Sequence, residues 1–217
     1  MAEGGGGIRA VISDFGGVLT TPLVQSFMAF QDRTGITGEL LGKGMQAATE
    51  ANGENPLFEM ERGEITEVAF LDLLTEHLEP LLGHTPEMHS FKEIYFEALE
   101  SNPPMIELMH ELKREGYRMA MLTNNVKEWE PWWRPMLPVD EIFETVVDSG
   151  FVGCRKPESE IYRITLDRIG LPAESCLFVD DVNVNCEGAE KAGMTAVHFQ
   201  DNEQAIADVR AALSAAA

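Results

Sequence analysis

The chain has 217 residues, 44% hydrophobic and 24% charged, which suits one domain, or one with a large insertion, and is too apolar for a disordered segment. Its 37 Asp and Glu against 16 Lys and Arg leave a net charge of −21, and a globally acidic surface repels phosphate backbones and anionic lipid heads. These figures exclude a sequence-independent nucleic-acid binder and a polybasic membrane anchor, and no apolar run reaches the roughly 18 residues that span a bilayer.

Met1 to Gly7 is glycine-rich with one acid and no base, which predicts a floppy leader without the charged and apolar regions of a signal peptide. Ile8 to Ser13 is a short apolar run ending at Asp14. Its apolar residues do not alternate, as expected of a strand buried on both faces. The stretch from Pro22 to Pro103 contains no convincing strand. Within it Ile65 to Leu82 is amphipathic, with Thr66 placed to cap it and Gly83 to stop it, and Phe91 to Leu99 reads as a further helix. This stretch carries 15 acids against 4 bases, so the more acidic part of the chain is the helical one.

Beyond it the pattern alternates. Helices are predicted over Pro104–Glu115, Pro157–Ile169 and Asn183–Ala192, with Gly116, Gly170 and Gly193 as stops. Asp201 with Gln204 resembles a capping box for a last, alanine-rich helix. Strands are predicted at YRMAMLT (Tyr117–Thr123), more weakly at ETVVD (Glu144–Asp148), at CLFV (Cys176–Val179) and at TAVHF (Thr195–Phe199). Strands alternating with helices predict an α/β fold with a doubly wound parallel sheet. The expected core is 8–21 with 104–217, and the expected helical cap is 22–103. Cys154, Cys176 and Cys186 are odd in number with no CxxC spacing, which fits a reducing, cytoplasmic compartment.

In open α/β sheets a ligand sits beyond the carboxyl ends of the strands. After the first strand comes Asp14-Phe15-Gly16-Gly17; after the second, Thr123-Asn124-Asn125; after the weak one, Arg155-Lys156-Pro157; and after CLFV, Asp180-Asp181. Together these offer three carboxylates, a hydroxyl, an amide and an ammonium. Carboxylates converging with other oxygen donors make a hard-cation site, and Mg²⁺ is the cation expected there. A hydroxyl, a lysine and free backbone N–H groups are what phosphoryl oxygens need. An aspartate at a strand end is a possible nucleophile toward phosphorus. His77, His84, His89, His110 and His198 show no ligand spacing on one element, so none is assigned a metal. Trp129, Trp132 and Trp133 read as packing or as a protein interface.

DFGGVLT, LTNN, GCRKPESEIY and LFVDD, in this order, resemble the four motifs of the haloacid dehalogenase superfamily. RKPESEIY and LFVDDVNVN followed by GAEKAGM are most similar to the phosphatase-domain relatives of soluble epoxide hydrolase. The resemblance implies a Mg²⁺-dependent phosphatase of a small phosphate ester. Asp14 would be nucleophile and metal ligand. Thr123 would bind a phosphate oxygen, with Asn124 beside it, and Lys156 would bridge Asp14 and the phosphate. Asp181 and the main-chain carbonyl of Gly16 would ligate the metal, and Asp180 would hold metal-bound water or Lys156.

The chain departs from this pattern once. The family's phosphatases carry a second Asp two residues after the nucleophile as general acid and base, a role worth about 10²–10⁴-fold, and this chain has Gly16 there. Three readings follow: a substrate with a better leaving group or an acid borrowed from the cap, a slow enzyme, or a degenerate domain that binds a phosphorylated ligand or a protein. A dehalogenase-type hydrolase needs no such acid, but the Asp180–Asp181 pair argues against it. A Schiff-base phosphonate hydrolase has only Lys43 and Lys92 to offer in the cap, and a phosphoglucomutase needs the Asp that is absent. An oligomer is compatible with the sequence but not readable from it.

Overall fold

The computed structural model describes residues 7–215; the expected leader, Gly7 apart, lies outside them. The chain opens with β1 (Ala10–Ser13). Five helices follow: α1 (Val24–Thr34), α2 (Gly38–Asn52), α3 (Pro56–Glu61), α4 (Glu67–Leu82) and α5 (Phe91–Ala98). The rest alternates: α6 (Pro103–Arg114), β2 (Arg118–Thr123), α7 (Glu130–Trp133), α8 (Val139–Ile142), β3 (Thr145–Asp148), α9 (Ser149–Val152), α10 (Ser159–Ile169), β4 (Cys176–Asp180), α11 (Asn183–Lys191), β5 (Thr195–His198) and α12 (Asn202–Ala215).

The local signals explain the helix ends. The Thr37 and Thr66 hydroxyls accept from the N–H groups of Leu40 and Ala69, and Asn55 accepts from Leu57, each satisfying an otherwise unpaired first-turn donor. Gly35, Gly53 and Gly83 end α1, α2 and α4 in the left-handed region, where a Cβ is costly. At α12 the capping box is half formed. Asp201 Oδ1 accepts from Gln204 N, but the Gln204 side chain turns back to Gln200 N instead of to its capping partner.

The five strands form one parallel sheet in the order β3-β2-β1-β4-β5. Side chains alternate between two faces, as the pleat requires. Val11, Met119, Met121, Leu177 and Val179 join the cluster that holds the α6 and α12 residues Leu108 and Val209. Ala10, Ile12, Ala120, Leu122 and Phe178 join the one that holds the α10 and α11 residues Ile161 and Ala189. Helices therefore cover both faces, and the strands read as apolar runs because both sides are dry. The helical segment enters and leaves through an antiparallel bridge between Thr20 and Ser101. Among the described residues no helix is long and apolar enough to cross a membrane.

Candidate active site

The strand order sets the place of the site. From β1 the chain winds outward through β2 and β3, then returns to the other side of β1 for β4 and β5. The direction reverses between β1 and β4, and such a switch point leaves a crevice at the carboxyl ends of the strands. Ser13 pairs with Val179 across it, and the Asp14 N–H donates to the Val179 carbonyl at 2.9 Å. Asp14 and Asp180 thus stand at the lip of the crevice because the register puts them there.

Lys156 lies between them, 1% exposed. Its Nζ reaches Asp14 Oδ1 at 2.9 Å, Asp180 Oδ2 at 2.6 Å and the Leu122 carbonyl at 3.0 Å, so all three ammonium protons have acceptors. Asn124 holds the backbone of the same residue. Its amide oxygen accepts from Lys156 N at 2.7 Å and its amide nitrogen donates to the Lys156 carbonyl at 3.0 Å. The Asn124 side chain, expected beside the substrate, is engaged in positioning the lysine. Asp180 is fully buried and similarly engaged: Oδ1 accepts from Val182 N at 2.8 Å and Asn185 Nδ2 at 3.0 Å. Thr123 ends β2 and lines the neighbouring cavity together with Gly16 and Asn124.

Asp14, Asp180 and Asp181 each bring a carboxylate oxygen within 4.8 Å of the others. Burial pushes the Asp14 carboxyl well above the usual carboxylate range; Lys156 pulls it back and Asp180 and Asp181 push it further up. Burial, then Asp180, also raises Asp181. Burial opposes the charge on Lys156, but Asp14 and Asp180 outweigh it and hold the ammonium above its usual value. Three carboxylates facing one ammonium are an undercompensated anionic cluster, and hard oxygen donors in that arrangement fit a divalent cation. The loop after β1 is shaped to the cluster. Gly17 has φ +78°, and a Cβ there would stand 2.1 Å from Asp181 Oδ2, an approach only glycine permits. His198, assigned no metal from sequence, reaches only the Asp181 carbonyl, at 3.0 Å.

Above the crevice lies a cavity of about 290 Å³ between the strand ends and the helical segment. Its floor includes Phe15, Gly16, Thr123 and Asn124, and its walls are mostly Leu, Met, Phe and Trp side chains, among them Leu41, Met60, Phe91 and Trp129. Glu61 and Tyr95 also line it. Neither was singled out from sequence, because which side of a cap helix faces the core is set by tertiary packing. Trp129 packs on Tyr95 at 5.1 Å and donates to Glu67 at 2.8 Å. Trp133 is buried against Phe15 at 5.2 Å, while Trp132 stays 41% exposed. Lys92 is paired with Glu67 and Lys43 with Glu39, and neither lines the cavity.

A family model for "Hydrolase: haloacid dehalogenase-like hydrolase" matches residues 8–193. The chain is 25% identical to bifunctional epoxide hydrolase 2 of Sus scrofa over 93% of its own length and 38% of that protein's. It is 33% identical to the glyceraldehyde 3-phosphate phosphatase of Pyrococcus abyssi over 48% of its length and 44% of the relative's. It thus spans less than half of either. In fold it is similar to a HAD family enzyme of Bacteroides thetaiotaomicron solved with magnesium and inorganic phosphate. The TM-score is 0.65 at 22% identity, covering 89% of this chain and 95% of the other.

Proposed function

The chain belongs to the haloacid dehalogenase-like hydrolase family, and we propose that it is a Mg²⁺-dependent phosphatase of small phosphate monoesters with an apolar organic group. The observation that carries this reading is one arrangement: the buried Asp14–Lys156–Asp180 triad, with Asp181 beside it, stands next to an apolar-walled cavity lined by Phe15 and Gly16, which follow Asp14 in the chain, and by Thr123. An apolar wall favours an organic group that loses little hydration on entry. The phosphatase relative supports the reaction class. Residues 22–103 form the cap in this reading, and 8–21 with 104–217 the core.

Asp14, Asp181 and the Gly16 main-chain carbonyl would hold Mg²⁺, which when bound supplies charge neutralisation at the phosphoryl oxygens. Asp14 attacks phosphorus, the ester oxygen leaves, and an aspartyl-phosphate remains for water to hydrolyse. Lys156 pulls the Asp14 carboxyl back toward its ionised form against the burial that favours the neutral acid, and it stands ready to share charge with the phosphate. Asp180 holds Lys156 in place, and Asn124 fixes its backbone. The Thr123 hydroxyl donates to a phosphate oxygen.

The test is a side-by-side assay of 4-nitrophenyl phosphate and chloroacetate, with and without a chelator. Phosphate release that needs Mg²⁺, and that Asp14→Asn abolishes without changing the circular dichroism spectrum, is the expected result, because an amide is a poor nucleophile and a weaker ligand. Chloride release without metal, or full activity in Asp14→Asn, overturns the reading.

A further inference from the structure

A Cβ on Gly16 would lie 3.2 Å from both Leu23 methyl carbons, so the Leu23 side chain would have to give by a few tenths of an ångström to admit one. Glycine brings no acid to this position, so an acid for the leaving oxygen has to come from elsewhere. With phosphate held at the Thr123 end, the ester oxygen faces the cavity. Among the described residues that line it, Glu61 carries the one carboxyl. We infer that Glu61, at the end of α3, is the general acid and base that replaces the residue missing at position 16.

This inference rests on the phosphatase reading above and deepens it. In the first half-reaction the P–O bond to the organic group breaks as Asp14 bonds to phosphorus, and the Glu61 proton passes to the departing oxygen. In the second, the Glu61 carboxylate takes a proton from the attacking water, whose oxygen bonds to phosphorus as the Asp14–phosphorus bond breaks. The balance is ester plus water to alcohol plus phosphate, with Glu61 reprotonated.

The surroundings of Glu61 suit that cycle. Its side chain is 16% exposed and pairs with Arg155 Nε, next in sequence to Lys156. Arg155 is itself stacked on Phe58 of α3, 3.9 Å from the ring centroid. The pair brings the cap acid to the loop that holds the site lysine, and the guanidinium stabilises the carboxylate left after proton donation. Burial raises the Glu61 carboxyl above its usual range against the pull of Arg155, with Lys156 and Arg62 also pulling it down. Tyr95, on α5, also lines the cavity; burial raises its hydroxyl, so it is a poor proton donor at neutral pH.

The experiment compares 4-nitrophenyl phosphate, whose leaving group needs no proton, with n-hexyl phosphate, whose leaving group does. Wild type is expected to hydrolyse both, with a shallow dependence of rate on leaving-group pKa across a series of aryl and alkyl esters. Glu61→Gln is expected to lower kcat/KM, which reports phosphoryl transfer to Asp14, by about 10²–10⁴-fold for the hexyl ester and by less than about tenfold for the nitrophenyl ester, to lower kcat for both through the shared hydrolysis of the aspartyl-phosphate, and to lose the alkaline limb of the kcat/KM profile. Arg155→Lys separates a structural effect: it loosens the pair but leaves the acid, so it is expected to slow both esters alike. A steep leaving-group dependence of kcat/KM in wild type overturns the inference without any variant, as does an equal effect of Glu61→Gln on kcat/KM of both esters. If Glu61→Gln does not fold, Glu61→Asp carries the same selective loss in smaller degree. A wild type inactive on every ester would instead sink the phosphatase reading itself.

Discussion

At the scale of single residues, burial decides how each carboxylate behaves, and Asp148 shows this away from the metal-type cluster. It ends β3 and caps α9, its Oδ1 accepting from Gly150 N at 2.9 Å, but its Oδ2 is buried with no partner. Burial pushes its carboxyl up to about 7, with the Gly150 N–H pulling it back. A folded-state pKa above the unfolded value of 3.8 means the native state binds more protons than the unfolded one between those limits. The contribution of Asp148 to stability is then fully present below about pH 4 and lost as pH rises through about 7. Asp148→Asn keeps the cap acceptor and removes the titration. The melting-temperature gap between variant and wild type should therefore move in favour of the variant from pH 5 to pH 8, and a gap independent of pH would show that Asp148 ionises normally. Nothing in the sequence marks this residue, because the strand-end position is visible but the missing partner is a fact of packing. Asp14, Thr123, Asp180 and Asp181 were legible because each ends or closely follows an apolar run, and parallel strand order then brings such positions together; Lys156, eight residues past β3, was legible through the RKPESEIY motif.

At the scale of elements, legibility follows from how local the cause is. The five strands and the caps at Thr66 and Gly83 were readable because continuous burial and capping chemistry leave marks within a few residues. The one-turn helices α7 and α8 were not, because Pro131, Pro135 and Pro138 break the pattern. Turns that short are held by the burial of Trp133, Val139 and Ile142 and not by propensity. The boundaries of α1 to α3 were equally hidden within a segment read only as helical. The contact of α2 with α4 is set by a glycine. A Cβ on Gly44 would meet Leu78 Cδ2 at 2.8 Å and Leu74 Cδ1 at 3.1 Å, whereas one on Gly42 of the same helix meets nothing within 4 Å. Alanine gains up to about 1 kcal/mol of helix propensity at either site. At Gly44 an overpacking cost of about 1–3 kcal/mol opposes it and wins. Gly44→Ala is expected to lower the denaturant midpoint and Gly42→Ala to raise it, both with unchanged m-value; an increase in both would mean that α2 slides freely over α4.

At the scale of the whole molecule, charge and chemistry pull against each other. The proposed substrate is a phosphate dianion, and it approaches a chain of net charge −21. The helical segment, with 15 acids and 4 bases, is the more acidic part per residue, and its apolar side chains line the entrance. Close to phosphorus, Lys156 and the proposed cation would attract the substrate; beyond a Debye length the summed acidic surface repels it. Salt screens the second effect far more than the first, because buried pairs are shielded from mobile ions and surface charges are not. With Mg²⁺ kept saturating at every salt concentration, so that weaker ion binding cannot masquerade as weaker catalysis, kcat/KM should rise with ionic strength. The expected gain is a factor of about 2–5 between roughly 10 and 150 mM NaCl, modest against the 10–10³ range known for electrostatic steering. Because the repulsion acts on the approach and not on the chemistry, kcat should stay level while KM falls. A fall in kcat/KM over the same range would show that the local positive field of the site reaches past the acidic surface and steers the substrate in.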